Sequence, residues 1–220
     1  MSPVQLDQFN KYYELLVEWN SFMNLTAITD KDEVILKHFV DSLALGRYMN
    51  LQNETIIDVG TGAGFPGIPI KIAYPNVRLT LVDSLNKRIK FLDTVIDCLG
   101  LTDVVTIHSR AEDLAHNSAY REKYDLCIPR AVANLSTLSE LCIPFVRPGG
   151  RFIPYKSEKT VDEIESATKA FSLLGATVDK VEEYTLPDSD IQRTLIFISK
   201  EKPTPSKYPR KAGTPSKDPL

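Results

Sequence analysis

Between residues 4 and 23 the apolar side chains fall three and four positions apart, at Leu6, Phe9, Tyr13, Leu16 and Val17. That spacing lines one face of a helix. A second amphipathic stretch follows Asp30, which with Glu33 three residues on resembles a capping box with Asp as the cap. Its inward positions are Val34, Ile35, His38, Phe39, Leu43 and Leu45. Residues 1–50 therefore read as an N-terminal helical extension packed on the core. At Thr55 the period changes to short β-branched runs, predicting strands at 55–59, 77–83, 104–108, 124–128 and 151–155. Helical spacing lies between them at 65–74, 86–99 and 136–145, and follows at 160–174. Such alternation predicts an α/β fold with a mostly parallel sheet between helices. Two further strands, 177–186 and 194–199, are joined by the short connection 187–193 and must be antiparallel neighbours. The expected sheet has seven strands, the final one antiparallel, within a domain of residues 51–200. Five prolines follow Lys200, so residues 201–220 are expected to be an extended or disordered tail in isolation.

Composition adds compartment and partners. No apolar run reaches the roughly 18 residues of a membrane span, and the first residues do not resemble a secretory signal. Cys98, Cys127 and Cys142 are widely spaced in apolar contexts, as buried thiols in a reducing compartment would be. A cytoplasmic protein, a monomer and no metal site are expected. The net charge of −3 excludes a generally basic nucleic-acid binder, yet it divides unevenly. Residues 200–220 carry +4 and residues 1–199 carry −7. A basic tail interleaved with tyrosine and proline is either a solvated charge run or an RNA contact.

The chemistry concentrates at Asp58-Val59-Gly60-Thr61-Gly62-Ala63-Gly64, a glycine turn leading from strand to helix. Glycines let a ligand approach the backbone, and the helix start offers N–H groups, so a nucleotide cofactor is indicated. Residues 62–67 match the dinucleotide pattern G-x-G-x-x-G. Pro66 lies where that motif opens its helix, however, and Asp58 would repel a pyrophosphate but attract an amino acid's α-ammonium. The closing antiparallel pair is also foreign to the doubly wound dinucleotide fold. Asp83, ending the second strand, is placed to reach ribose hydroxyls or to cap the next helix. Ala111 and Glu112, after the third strand, either read an adenine amino group or simply start a helix. S-adenosyl-L-methionine is the expected cofactor.

Four signatures carry a resemblance: residues 24–28 (Asn-Leu-Thr-Ala-Ile), 38–43 (His-Phe-Val-Asp-Ser-Leu), 58–67, and 208–215 (Tyr-Pro-Arg-Lys-Ala-Gly-Thr-Pro). With Asp83 and Ala111-Glu112 they resemble a class I, Rossmann-like S-adenosylmethionine-dependent methyltransferase. More narrowly, they resemble the small-subunit ribosomal RNA methyltransferase G family, also called glucose-inhibited division protein B. The resemblance implies methylation of N7 of guanine 527 in 16S rRNA. It implies cofactor contacts from Gly60, Phe65, Ala111, Glu112 and Arg130, beside the turn residues Asp58, Gly62 and Gly64 and the strand-end Asp83. It further implies a cationic surface of Arg110, Arg130, Lys156 and Arg193 around the RNA and the reacting base, Arg130, Lys156 and Arg193 being the candidate catalytic group. Lys207, Arg210 and Lys211 of the tail are candidate RNA contacts. Two positions depart from the family pattern: Pro129 before Arg130, and Pro154-Tyr155 before Lys156.

Guanine N7 carries a lone pair and no proton at neutral pH, so its methylation needs no general base. The segment Cys127-Ile128-Pro129-Arg130 lacks the Asn/Asp-Pro-Pro-aromatic turn of many amine methylases, and Cys127 lies within a strand. Any donor to N7 must leave before attack, which assigns the arginines to phosphate or to O6. His38 reads as a core histidine, and Trp19 and Phe22 as helix-packing residues. A nicotinamide oxidoreductase and a non-catalytic RNA-binding module stand as alternatives.

Overall fold

A computed structural model describes residues 1–130, 133–157 and 160–220. Its strands are β1 (Thr55–Val59), β2 (Arg78–Asp83), β3 (Val104–His108), β4 (Tyr124–Cys127), β5 (Val146–Phe152), β6 (Tyr155–Lys156), β7 (Ala176–Thr185) and β8 (Gln192–Lys200). They form one sheet in which β3, β2, β1, β4 and β5 are parallel neighbours in that order, β8 is antiparallel to β5, and β7 pairs with β8. The strand order reverses between β1 and β4, and the crevice at such a reversal is where α/β sheets bind ligands.

Eight strands stand where seven are expected, because the fifth is interrupted. Phe152 faces Ile198 and Tyr155 faces Leu195, so β5 and β6 continue in one register along β8. Pro154 lies in the gap and has no N–H to give to the ladder. The fifth strand also begins earlier than predicted, its first residues running through Arg147-Pro148-Gly149-Gly150.

Helices cover both faces. On one lie α1 (Pro3–Met23), α4 (Gly67–Ala73) and α5 (Asn86–Leu99), and on the other α7 (Leu135–Cys142) and α8 (Thr160–Leu174). Ser2 and Gln5 close a capping box at the start of α1. Its buried face is Phe9, Tyr12, Leu16 and Met23, whereas Leu6 is 51% exposed, so the stripe is rotated from the predicted one. Tyr12 decides that rotation. Its ring packs between Phe39 and Phe65, and its hydroxyl donates to the Ala63 carbonyl inside the glycine turn. Trp19 packs on Phe91, while Phe22 is 66% exposed although its ring touches Trp19.

The second helical stretch is built in pieces. Asp30 caps α2 (Lys31–Val34) by accepting from the Glu33 N–H; a wider π-helical run then spans Ile35–Val40 before α3 (Asp41–Leu43). Such widened turns recur at functional sites. The remaining short helices are α6 (Ala111–Leu114) and α9 (Thr214–Lys217).

The tail is anchored along the protein rather than free. Arg121 donates to the carbonyls of Thr204, Pro205 and Tyr208, and Tyr208 and Pro215 are buried. Lys200 is buried against the Ile143 carbonyl, the Thr204 hydroxyl and Glu122.

Candidate active site

The glycine turn leaves β1 with most of its donors already used; between Gly60 and Phe65 the Ala63 N–H is the one without a partner among the described residues. The N–H groups of Gly60 and Thr61 bond to the Val82 carbonyl, those of Gly64 and Phe65 to the Thr61 carbonyl, and that of Gly62 to Asp83 Oδ2 at 3.0 Å. The carbonyls of Gly60 and Gly62 accept no hydrogen bond among the described residues. A pyrophosphate needs free donors and an ammonium needs free acceptors. The turn therefore suits the ammonium end of an amino acid, and the expected set of unpaired N–H groups at this helix start narrows to one, that of Ala63. Gly62 has φ +62°, and a Cβ added there would meet nothing within 4 Å, so there is open space above it for a ligand.

Asp58 is fully buried beneath the turn. Its Oδ2 accepts from the Thr61 hydroxyl at 2.8 Å and from the Gly67 N–H at 3.0 Å, and Oδ1 is buried without a partner. Burial pushes its carboxyl up to about 7. It braces the turn from below and does not face a ligand directly, as the sequence reading supposed. Asp83 likewise braces the rim: Oδ1 accepts from Leu85 N–H, and Oδ2 from Gly62 N–H and from Arg88 at 3.1 Å. Next to it Leu85 is 43% exposed, an apolar surface on the rim that sequence reasoning passed over.

Glu112 is buried, and its Oε1 accepts from the Gly213 N–H of the tail at 3.0 Å. One carboxylate oxygen is thus taken by the tail, while Ala111 and Glu112 stand at the carboxyl end of β3, starting α6. Arg110, just before them, is exposed.

A second cavity, of about 310 Å³, opens beyond the turn and is lined by Lys37, His38, Asp41, Arg130, Tyr155, Lys156 and Arg193, among others. Phe65, at the end of the turn, packs under two of the residues that line this cavity. The His38 ring stacks on it at 4.6 Å and the Arg130 guanidinium lies over it at 5.0 Å. Phe65 is itself buried at the end of the turn.

Arg130 follows β4, and its Nη1 donates to the Lys37 carbonyl and to Asp41 Oδ2, both at 3.2 Å. Arg193, near the start of β8, reaches the same oxygen through Nε at 3.3 Å. The Tyr184 hydroxyl donates to Asp41 Oδ1 at 2.9 Å, and its deprotonation is strongly disfavoured by burial and by that carboxylate. Lys156 lines the cavity but is held by Glu163 at 2.7 Å and by the Ala133 carbonyl at 2.9 Å. Both departures from the family pattern are buried, and the Tyr155 hydroxyl donates to the Ser42 carbonyl at 2.8 Å.

His38 is more than a core residue. It lines the cavity, contacts the Thr26 hydroxyl through Nε2 at 2.9 Å, and is held down to about 4 by burial and by Arg130. It is neutral at physiological pH. Asp41 and Tyr184 were missed as site residues. The signal for Asp41 was present in the segment 38–43, whereas nothing local marks Tyr184.

The tail residues separate. Arg210 donates to the buried Glu140 at 2.8 Å and to Asp218 at 3.1 Å, which corrects its expected role as an RNA contact. Lys207 and Lys211 are exposed.

The family model described as rRNA small subunit methyltransferase G matches residues 5–195. The chain belongs to that family. It is 54% identical over 217 residues to the ribosomal RNA small subunit methyltransferase G of Lachnoclostridium phytofermentans, covering 98% of this chain and 90% of that one. The protein of the same name from Listeria monocytogenes serotype 4b (strain CLIP80459) is 51% identical over 221 residues, covering 100% and 93%. Among solved structures, a SAM-dependent methyltransferase from Aquifex aeolicus superposes with TM-score 0.55 at 16% identity, over 77% of this chain and 93% of that one. A ribosomal protein L11 methylase from Lactobacillus delbrueckii does so at 0.55 and 18%, over 74% and 77%. These neighbours show the fold, a class I methyltransferase. Membership makes the protein a methyltransferase whose methyl donor is S-adenosylmethionine, and the nicotinamide reading falls with the spent donors of the turn.

Proposed function

We propose that the protein methylates N7 of a guanine in 16S rRNA, the base at position 527, and that it does so by placement alone. The observation that carries the reading is the neighbourhood of a turn offering acceptors and a cavity offering guanidiniums, linked where Phe65 of the turn packs under His38 and Arg130 of the cavity. Gly60 and Gly62 would hold the cofactor's ammonium by their carbonyls, while the rim from Asp83 to Leu85 and the backbone at Ala111-Glu112 would carry its nucleoside. Bound there, S-adenosylmethionine supplies a methyl group already activated for in-line displacement by the N7 lone pair, leaving a neutral thioether and a positively charged base.

The protein's own residues then bind and orient. His38, neutral and stacked on Phe65, extends a flat wall against which a purine can lie. Arg130 and Arg193 address O6 or phosphate, and leave N7 free to attack. No group need remove a proton, and Asp41, the one carboxylate lining the cavity among the described residues, is engaged by three donors. Lys207 and Lys211 of the tail, with Arg110, would grip flanking phosphates.

The deciding experiment is mass mapping of methylated nucleotides in 16S rRNA from cells with and without the gene, coupled to labelled methyl transfer by the purified protein. Loss of one 7-methylguanine, restored by the protein in vitro, is expected. RNA binding without transfer would favour a non-catalytic module instead.

A further inference from the structure

We propose that Asp41 is a positioning residue, which shares one carboxylate between Arg130 and Arg193 and so sets both guanidiniums at the base cavity in a half-neutralised state. The proposal rests on the rRNA-methylating reading of this site.

Asp41 is 2% exposed, and both of its carboxylate oxygens are engaged, by three donors in all. Oδ2 takes Arg130 Nη1 at 3.2 Å and Arg193 Nε at 3.3 Å, while Oδ1 takes the Tyr184 hydroxyl at 2.9 Å. The three donors come from the end of β4, the start of β8 and the end of β7, and Asp41 itself comes from the N-terminal helical stretch. The π-helical run before it brings His38 and Asp41 to the same cavity, with Lys37 presenting its carbonyl to Arg130. Two guanidiniums converging in a partly buried cavity repel each other unless a counter-charge stands between them. A single oxygen shared by both is that counter-charge. It also fixes where they point, since an arginine bonded at known atoms has lost its rotamer freedom before substrate arrives.

The arrangement has a definite electrical consequence. Asp41 with its two arginines carries one net positive charge in place of two. Two unneutralised arginines would hold phosphate more tightly and less selectively, because phosphate contacts supply affinity without orientation. The carboxylate gives up some RNA affinity in exchange for geometry. A residue that merely braced the fold would not trade one for the other.

Asp41→Asn tests this. The amide keeps the shape, can accept from the arginines and can donate to the Tyr184 oxygen, but it removes the charge. The expected result is a fall in kcat of at least tenfold, with KM for 16S rRNA particles lowered. The slope of log KM against log salt should steepen by about 0.7–0.9, the increment for one further neutralised phosphate. Affinity for S-adenosylhomocysteine by calorimetry, and the melting temperature, should stay near those of the unaltered protein. Unchanged kcat overturns the proposal, as does a joint loss of kcat, thioether affinity and melting temperature with raised KM. Tyr184→Phe is the second arm and carries the test if Asp41→Asn does not fold. It frees Oδ1 but keeps the charge, so kcat should fall two- to fivefold at unchanged salt slope; a kcat equal to that of the unaltered protein counts against the proposal. If the unaltered protein itself transfers no methyl group to the particles, the methylation reading fails and this proposal falls with it. Turnover by the unaltered protein together with an indifferent Asp41→Asn removes this proposal alone.

Discussion

The glycine turn and the cavity around Arg130 and Asp41, proposed as the seats of cofactor and base, are built by opposite means. The turn is made from ten consecutive residues and one following strand end, and most of its N–H groups are satisfied by backbone and carboxylates of these same segments. The cavity gathers side chains from the N-terminal helices, the segment after β4, β6 and β8, and is held by ion pairs. A turn that hands its donors to itself leaves carbonyls outward and so selects a cation. A cavity that gathers cations around one carboxylate selects an anion or a carbonyl edge. The charges of sulfonium amino acid and RNA are thus sorted before either arrives.

The comparison breaks most severely at Gly64. Its φ is +97°, and an added Cβ would lie 2.7 Å from Ile68 Cγ1 and from the Tyr12 hydroxyl and 2.9 Å from Leu92 Cδ2. Gly64→Ala should cost about 3 kcal/mol through strain and overpacking, lowering the melting temperature by roughly 10 °C in a thermal scan. Gly62→Ala is the contrast, since its Cβ enters open space. The fold should lose only about 1 kcal/mol, while S-adenosylhomocysteine affinity in calorimetry falls at least tenfold. An unaffected affinity would mean that the ligand does not lie over Gly62.

On the cavity side, Arg130→Lys keeps the charge but cannot reproduce two bonds from one planar fork. Methyl transfer should fall about 10–100-fold with thioether binding within twofold. A loss of binding as large as the loss of turnover would move Arg130 to the cofactor side of Phe65.

The tail sharpens the same division. Glu140 is 1% exposed and pairs with Arg210, so Arg210→Ala strands a buried carboxylate and should destabilise the fold by about 3 kcal/mol. The salt dependence of RNA binding should not change with it. Lys211→Ala should do the reverse, leaving the melting temperature in place and reducing the salt slope by about one. Filter binding across a salt series separates the two.

These contrasts explain what the sequence could and could not tell. The strands, the glycine turn and the antiparallel closing pair are recorded in local period and composition, and they were legible. Arg210 and Lys211 are adjacent basic residues with the same local character. What separates them is Glu140, seventy residues earlier in the chain and brought up only by folding. Glu112 likewise meets a distant partner, the Gly213 backbone, that nothing local announces. Asp41 stood within a signature segment, yet its meaning lies in three partners on three strands or strand ends. Pro154 was legible as a departure, but that it divides a strand without shifting the register required the pairing with β8.

The smallest expected effect bears on how the two sides are insulated. Asp58 in the folded protein titrates at about 7, raised by burial from its model-peptide value of 3.8. Its contribution to stability is therefore full below pH 3.8 and is lost as pH rises through 7. A bound ammonium above the turn favours the ionised carboxylate, so ligand binding should release part of a proton near pH 6. S-adenosylhomocysteine affinity should then weaken a few-fold between pH 8 and pH 6, and calorimetry in two buffers of different ionisation enthalpy should register the release. His38 cannot produce that dependence, because it is already neutral down to about 4. Asp58→Asn should abolish the pH dependence, while Asp41→Asn should leave it intact. If the Asp41 variant changed it instead, charge on the RNA side would be felt through Phe65, and the two regions would be one electrostatic unit.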